Sequence, residues 1–104
     1  MKSMMIIAAA GLAISGQAVA ALDGAKLYME KTCVACHGKD AKKPLMATYP
    51  KLAGQNAGYA EQQMKDIKSG ARNNGQTAAM KGVMHLVSDE EIKALADYLS
   101  KLKP

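Results

Sequence analysis

Apolar residues recur at helical spacing in three parts of this chain and alternate at strand spacing in none, so the pattern predicts an all-α protein. The clearest stripe is Ile92, Leu95, Ala96, Leu99 and Leu102, opened by Ser88-Asp89-Glu90-Glu91. Ser at the N-cap with Glu three residues on is a capping box, and the acidic residues suit the positive end of a helix. A second stripe, Tyr59, Met64 and Ile67, lies between Asn56 as N-cap and Gly70 as C-cap. A third element is predicted from Leu22 to about Ala35, with Asp23 as N-cap and Leu27, Tyr28 and Val34 apolar. Two stretches break the pattern and are predicted irregular. Residues 38–55 carry Pro44, Pro50 and Gly54, and residues 71–87 carry Asn73-Asn74-Gly75.

The N-terminus has a different grammar. Lys2, an apolar run from Met4 to Ile14 and the Ala18-Val19-Ala20 site together predict a signal peptide over residues 1–20, cleaved before Ala21. The run is short for a membrane span, so an uncleaved anchor is the weaker alternative, and the mature chain is expected to have no stable membrane insertion. Residues 21–104 then form one domain exported to the periplasm.

That domain is small and lacks both Trp and Phe. Such a thin core ordinarily needs a staple such as a disulfide, a metal or a large apolar cofactor. Without Lys2 the chain has 13 basic and 9 acidic residues, a formal +4. The cations are scattered and have no aromatic platform, which argues against nucleic acid and leaves a modestly basic face for an acidic protein partner.

The staple is written at Cys33-Val34-Ala35-Cys36-His37. CxxCH is the attachment pattern of haem c: two thiols add across the haem vinyl groups, and the adjacent imidazole faces the iron. A thioredoxin-like pair would need a βαβ context, a zinc site would need more ligands than His85 can add, and a Cys33–Cys36 disulfide would leave His37 unexplained. With His37 as one axial ligand, the residues leave Met46, Met80, Met84 and His85 as candidates for the second; Met64 lies within a predicted helix.

CVACHG, then YPKLAGQ (49–55), KDIKSGAR (65–72), MKGVM (80–84) and SDEEIKALADYLSKL (88–102), in this order, resemble a small bacterial class I cytochrome c. The chain is similar both to the soluble cytochrome c-553 type and to single domains of cytochrome c-4, over essentially the whole mature length. The resemblance implies three to four helices wrapped around one haem c bonded to Cys33 and Cys36. In that family the axial Met stands eight residues before the Ser that opens the last helix, which is Met80 here. Relatives also use a Pro carbonyl to accept a hydrogen bond from the ligand His, a role that falls to Pro50, with Pro44 as the alternative, and Leu52 would pack on the haem face. One departure stands out: an extra residue separates Tyr28 from Cys33, so either Gly24 with Tyr28 or Ala25 with Met29 meets Leu95 and Tyr98.

The function so implied is a monomeric periplasmic electron carrier, not an enzyme, with His37 and Met80 on the iron. It would dock transiently with redox proteins of a respiratory chain through the haem edge, near Lys39, Lys42, Lys43, Lys51 and Lys81. The competing functions are a haem sensor or peroxidase-like enzyme with a displaceable sixth ligand, and a cytochrome subunit of a larger oxidoreductase.

Overall fold

The computed structural model describes residues 22–104, and the predicted export segment lies outside them. Five helices follow one another: α1 (Gly24–Glu30), α2 (Cys33–His37), α3 (Ala57–Ser69), α4 (Thr77–Met84) and α5 (Asp89–Lys101). No strand occurs among the described residues, in keeping with the all-α expectation.

Two expectations need correction. The helix expected from Leu22 to Ala35 is two helices, because Thr32 takes a left-handed conformation (φ 65°) that ends the first and starts the second. The Lys31 N–H still bonds the Leu27 carbonyl at 2.8 Å, and the Ala35 N–H reaches back to Thr32 at 3.1 Å, so the chain turns without losing its backbone partners. The stretch 71–87, expected to be irregular, contains α4. Asn-Asn-Gly does form the turn, but Ala78, Ala79, Met80 and Lys81 after it are good helix formers. The count therefore rises from the expected three or four to five.

Local chemistry sets the other boundaries. The Asp23 carboxylate accepts the Ala25 N–H at 3.0 Å, and the Asn56 side chain accepts the Tyr59 N–H at 3.0 Å. Gly70 (φ 91°) closes α3 in the left-handed geometry that Gly tolerates, its N–H bonding the Asp66 and Ile67 carbonyls. At α5 the capping box is complete: the Ser88 hydroxyl accepts the Glu91 N–H at 3.1 Å, and the Glu91 carboxylate accepts the Ser88 N–H at 2.9 Å.

The core is built on α5. Ile92, Leu95, Ala96 and Leu99 are buried against Leu27 and Tyr28 of α1 and against Ala60, Met64 and Ile67 of α3. The crossing of α1 with α5 settles the register that the sequence left open. A Cβ on Gly24 would meet the Ala94 carbonyl oxygen and lie 2.5 Å from Tyr98 Cβ, while the Tyr28 ring stands 5.8 Å from that of Tyr98. Met29 is 56 % exposed, so Gly24 and Tyr28 are the crossing pair.

Glu91 also faces Lys31 of the α1–α2 turn at 3.6 Å, linking the cap to the turn. The Ser88 N–H bond holds its carboxyl below the usual range, against the opposing effect of partial burial, and Lys31 adds to the lowering. A depressed folded-state pKa means stability that is present above the unfolded value and lost as pH falls through the folded one. Thermal unfolding should therefore show wild type more stable than Glu91→Gln near neutrality, with the gap closing in acid. Ser88→Ala should cost about 1 kcal/mol.

Candidate functional site

A cavity of about 440 Å³ opens between α2, the loop 48–55, α3, α4 and the inner face of α5. Its volume falls within the usual range for a cofactor site. Its lining includes Cys33, Cys36 and His37 of α2, Met80, Val83 and Met84 of α4, and Leu95 and Leu99 of α5.

The attachment wall is fixed from behind. Tyr28, 1 % exposed, donates its hydroxyl to the Gly38 carbonyl at 2.5 Å, so the residue that crosses α5 also pins the end of α2. Burial chiefly pushes the phenol up to about 12, with smaller contributions from neighbouring acidic groups including the Cys33 thiol. The phenol is therefore a neutral donor at physiological pH. Cys33 is buried and Cys36 half-buried. Burial pushes the Cys33 thiol up.

His37 is buried, and its Nδ1 lies 3.0 Å from the Pro50 carbonyl oxygen. A carbonyl can only accept, so Nδ1 carries the proton and Nε2 keeps its lone pair. Burial also pushes the imidazole pKa down, against the opposing effect of the Pro50 bond. A neutral ring, oriented by a backbone carbonyl, is the form in which histidine binds a metal.

Pro50 is held in place by the loop around it. Ala41, fully buried and left-handed (φ 57°), accepts N–H bonds from Leu52 at 2.8 Å and Ala53 at 3.1 Å, and the Gly54 N–H bonds the Leu99 carbonyl at 2.9 Å. Leu52 is partly buried and lines the cavity. Pro44, the alternative acceptor, is not among the lining residues.

The candidates for the second axial ligand separate by position. Met80 lines the cavity and is partly buried against the core; Met84 also lines it but is 1 % exposed and packed within the core. Met46 and His85 are exposed and line none of it, and Met64 lines it but is buried in α3. Among the described residues no three His, Cys, Asp or Glu side chains gather as a metal site.

The donor set and the cavity fit a haem: Cys33, Cys36, a neutral His37 imidazole and the Met80 thioether all line a cavity that is otherwise largely apolar. Two contacts escaped sequence reasoning. Tyr28 counts in the apolar pattern as a core residue, and nothing local foretells its bond to Gly38. The other is a hydrogen bond of Arg72 to Gln63 at 3.1 Å beside the cavity.

Residues 21–103 match the family described as Cytochrome c. The chain is 38 % identical over 104 residues to the cytochrome c-553 of Nitratidesulfovibrio vulgaris (strain Miyazaki F), covering 98 % of this chain and all of that one. It is 40 % identical over 100 residues to the thiosulfate dehydrogenase electron acceptor of Stutzerimonas stutzeri, covering 89 % of this chain but 44 % of the relative. Among solved structures, reduced recombinant cytochrome c4 from Pseudomonas stutzeri superposes with a TM-score of 0.69 at 34 % identity, over 84 % of this chain and 50 % of the other.

Proposed function

The chain belongs to the cytochrome c family and carries one haem c bonded through Cys33 and Cys36; from that premise we propose a soluble periplasmic one-electron carrier with His37 and Met80 on the iron. The observation that carries this reading is the Nδ1 bond of His37 to Pro50, which leaves Nε2 free on a cavity that Met80 also lines. The haem, when bound, supplies the ferric/ferrous couple, and thioether ligation together with burial favours the ferrous side.

The chain's own part is to keep the environment alike in both oxidation states. His37 cannot rotate without breaking its bond to Pro50, Leu52 and Leu99 keep water away, and Tyr28 anchors the end of α2. Little movement then accompanies the electron. The thioether rim is where electrons are exchanged, because Cys36 is half-buried and the loop beside it is open. Leu45, whose N–H bonds the Cys36 carbonyl at 2.8 Å, is 74 % exposed, and Met46 is 46 % exposed. A small apolar spot ringed by charge suits brief docking of the weak redox kind.

Lys39, Lys42, Lys43 and Lys51 belong to that neighbourhood, whereas Lys81 sits over the end of α3, its Nζ 3.1 Å from the Cβ position of Gly70. Charge reversal at Lys42 and Lys43 should slow association with an acidic redox partner by about tenfold at low salt, and added salt should erase the difference. Stopped-flow rates that ignore both changes would remove the docking face. The S. stutzeri relative is named as an electron acceptor of a dehydrogenase, and an enzyme that delivers electrons to a carrier is the kind of partnership proposed for this chain.

Absorption spectroscopy tests the whole reading. A His/Met carrier is low-spin in both oxidation states, with a weak band at the red end in the ferric form. A five-coordinate high-spin spectrum would instead make this a ligand-binding haem protein.

A further inference from the structure

We propose that Asn74-Gly75 is a self-modification site: the Gly75 peptide nitrogen displaces ammonia from the Asn74 side chain, and water then opens the ring to leave a carboxylate on the cavity. The chain has three asparagines, and Asn74 alone precedes a glycine. Asparagine is among the thermolabile residues, and a following glycine, having no Cβ, leaves the peptide nitrogen unhindered. The fold does little to shield that nitrogen. Among the described residues no acceptor pairs with the Gly75 N–H, Asn74 and Gly75 are both exposed, and a Cβ at Gly75 would meet nothing within 4 Å. Asn56 is the contrast: its side-chain oxygen is held by the Tyr59 N–H at 3.0 Å, and the residue after it is Ala57, already in α3.

The turn also supplies a donor. Thr77, 6 % exposed at the start of α4, gives its hydroxyl to Asn74 Oδ1 at 3.4 Å, while its N–H bonds the Asn74 carbonyl at 3.1 Å. The hydroxyl contact is long for an O–H donor, and it tightens as that oxygen gains charge during ring closure. In that step the Gly75 nitrogen bonds Asn74 Cγ, the Cγ–Nδ2 bond breaks, and the proton lost from Gly75 leaves with the amide as ammonia. Water then adds to either carbonyl of the cyclic imide, breaking one C–N bond and leaving aspartate or isoaspartate. Nothing is oxidised or reduced. One water enters and one ammonia leaves, so a neutral side chain becomes an anion, a charge-changing modification made by the chain itself. Asn74 and Thr77 both line the cavity, and Thr77 stands three residues before Met80. The product therefore puts negative charge on the cavity, and its isoaspartate form adds a carbon to the backbone just before α4. With a haem in the cavity, that charge favours ferric iron.

Haem-loaded wild type, Thr77→Val and Thr77→Ser are aged in mildly alkaline buffer, with a parallel wild-type sample in guanidinium chloride. Peptide masses and isoaspartate content are followed with time. Folded wild type should gain one mass unit in the peptide holding Asn74, at a rate within about threefold of the denatured chain, while Asn56 and Asn73 stay largely intact. Thr77→Val should be slower by about threefold to tenfold, and Thr77→Ser close to wild type. Asn74→Asp, which carries the product from the start, should tilt the ferrous-to-ferric ratio at a fixed external potential toward ferric by about threefold. If Asn74 stays intact in the folded protein and is lost only in the denatured one, the turn protects it and the proposal is overturned. Equal loss at all three asparagines would overturn it as well. A Thr77→Val rate equal to wild type removes the donor, and an unmoved midpoint in Asn74→Asp removes the redox consequence. Only that last arm rests on the carrier reading: a wild-type spectrum that is not low-spin His/Met sinks the carrier and leaves the mass readings to decide the modification.

Discussion

Met80→Ala protein keeps its covalent haem and loses its identity as a carrier. Two other thioethers then line the cavity, Met84 locked in the core and Met64 buried in α3, and the exposed Met46 and His85 lie outside it. The ferric red-end band should disappear, the iron should become high-spin or take up water, and added imidazole or carbon monoxide should bind. The reduction potential should fall by on the order of a few tenths of a volt, within the roughly 0.8 V that axial ligands command. Under the proposed His/Met ligation, alanine removes the thioether that favours the ferrous state. Spectroelectrochemistry of the variant reads all of this at once. An unchanged low-spin spectrum would mean that another side chain, with Met84 the first to examine, is the sixth ligand.

Gly24→Leu should be among the most damaging substitutions for stability, and the matched Ala25→Leu nearly silent. A Cβ at Gly24 has no room: the Ala94 carbonyl belongs to the backbone of α5, and Tyr98 Cβ, 2.5 Å away, cannot swing aside as the tip of a long side chain could. The two helices would have to separate, drawing Tyr28 from both Tyr98 and the Gly38 carbonyl. Overpacking of this kind costs about 1–3 kcal/mol. In a domain this small each kcal/mol moves the thermal midpoint by roughly 4–8 °C. Ala25 is exposed on the same turn, so leucine there meets solvent. Equal losses at the two sites would mean that the helices cross in the other register.

These two cases mark what the sequence could and could not reveal. CxxCH, the Ser88 box, Asn56 and Gly70 are legible because the chemistry that defines each lies within a few residues of chain. The crossing register was not legible: one residue of ambiguity between Tyr28 and Cys33 leaves two pairs equally plausible, and contact with α5 decides between them. The same interval hid the break at Thr32, since no local rule demands a left-handed β-branched residue there. Its effect is to let α1 keep the Gly24 and Tyr28 contacts while α2 restarts at Cys33, which absorbs the extra residue. α4 was concealed for another reason. Its start has no side-chain cap and it contains a glycine, so local signals fall short, and packing against α3 supplies the rest. The placement of Pro50 depends on the long-range bonds at Ala41 and Leu99, which only the folded chain makes.

The pair of hydrogen bonds accepted by the Ala41 carbonyl, from the Leu52 and Ala53 N–H groups, has a consequence for how this molecule could diversify. It closes residues 42–51 into a separate excursion whose two ends are tied together, so the stretch about Ala47 and Thr48 could grow or shrink while the acceptor for His37 stays put. Doubling such a loop costs only about 0.6 kcal/mol in closure entropy. The loop surface and the His37–Pro50 bond are thus separable inheritances, and the proposed docking surface could be reshaped without moving that bond.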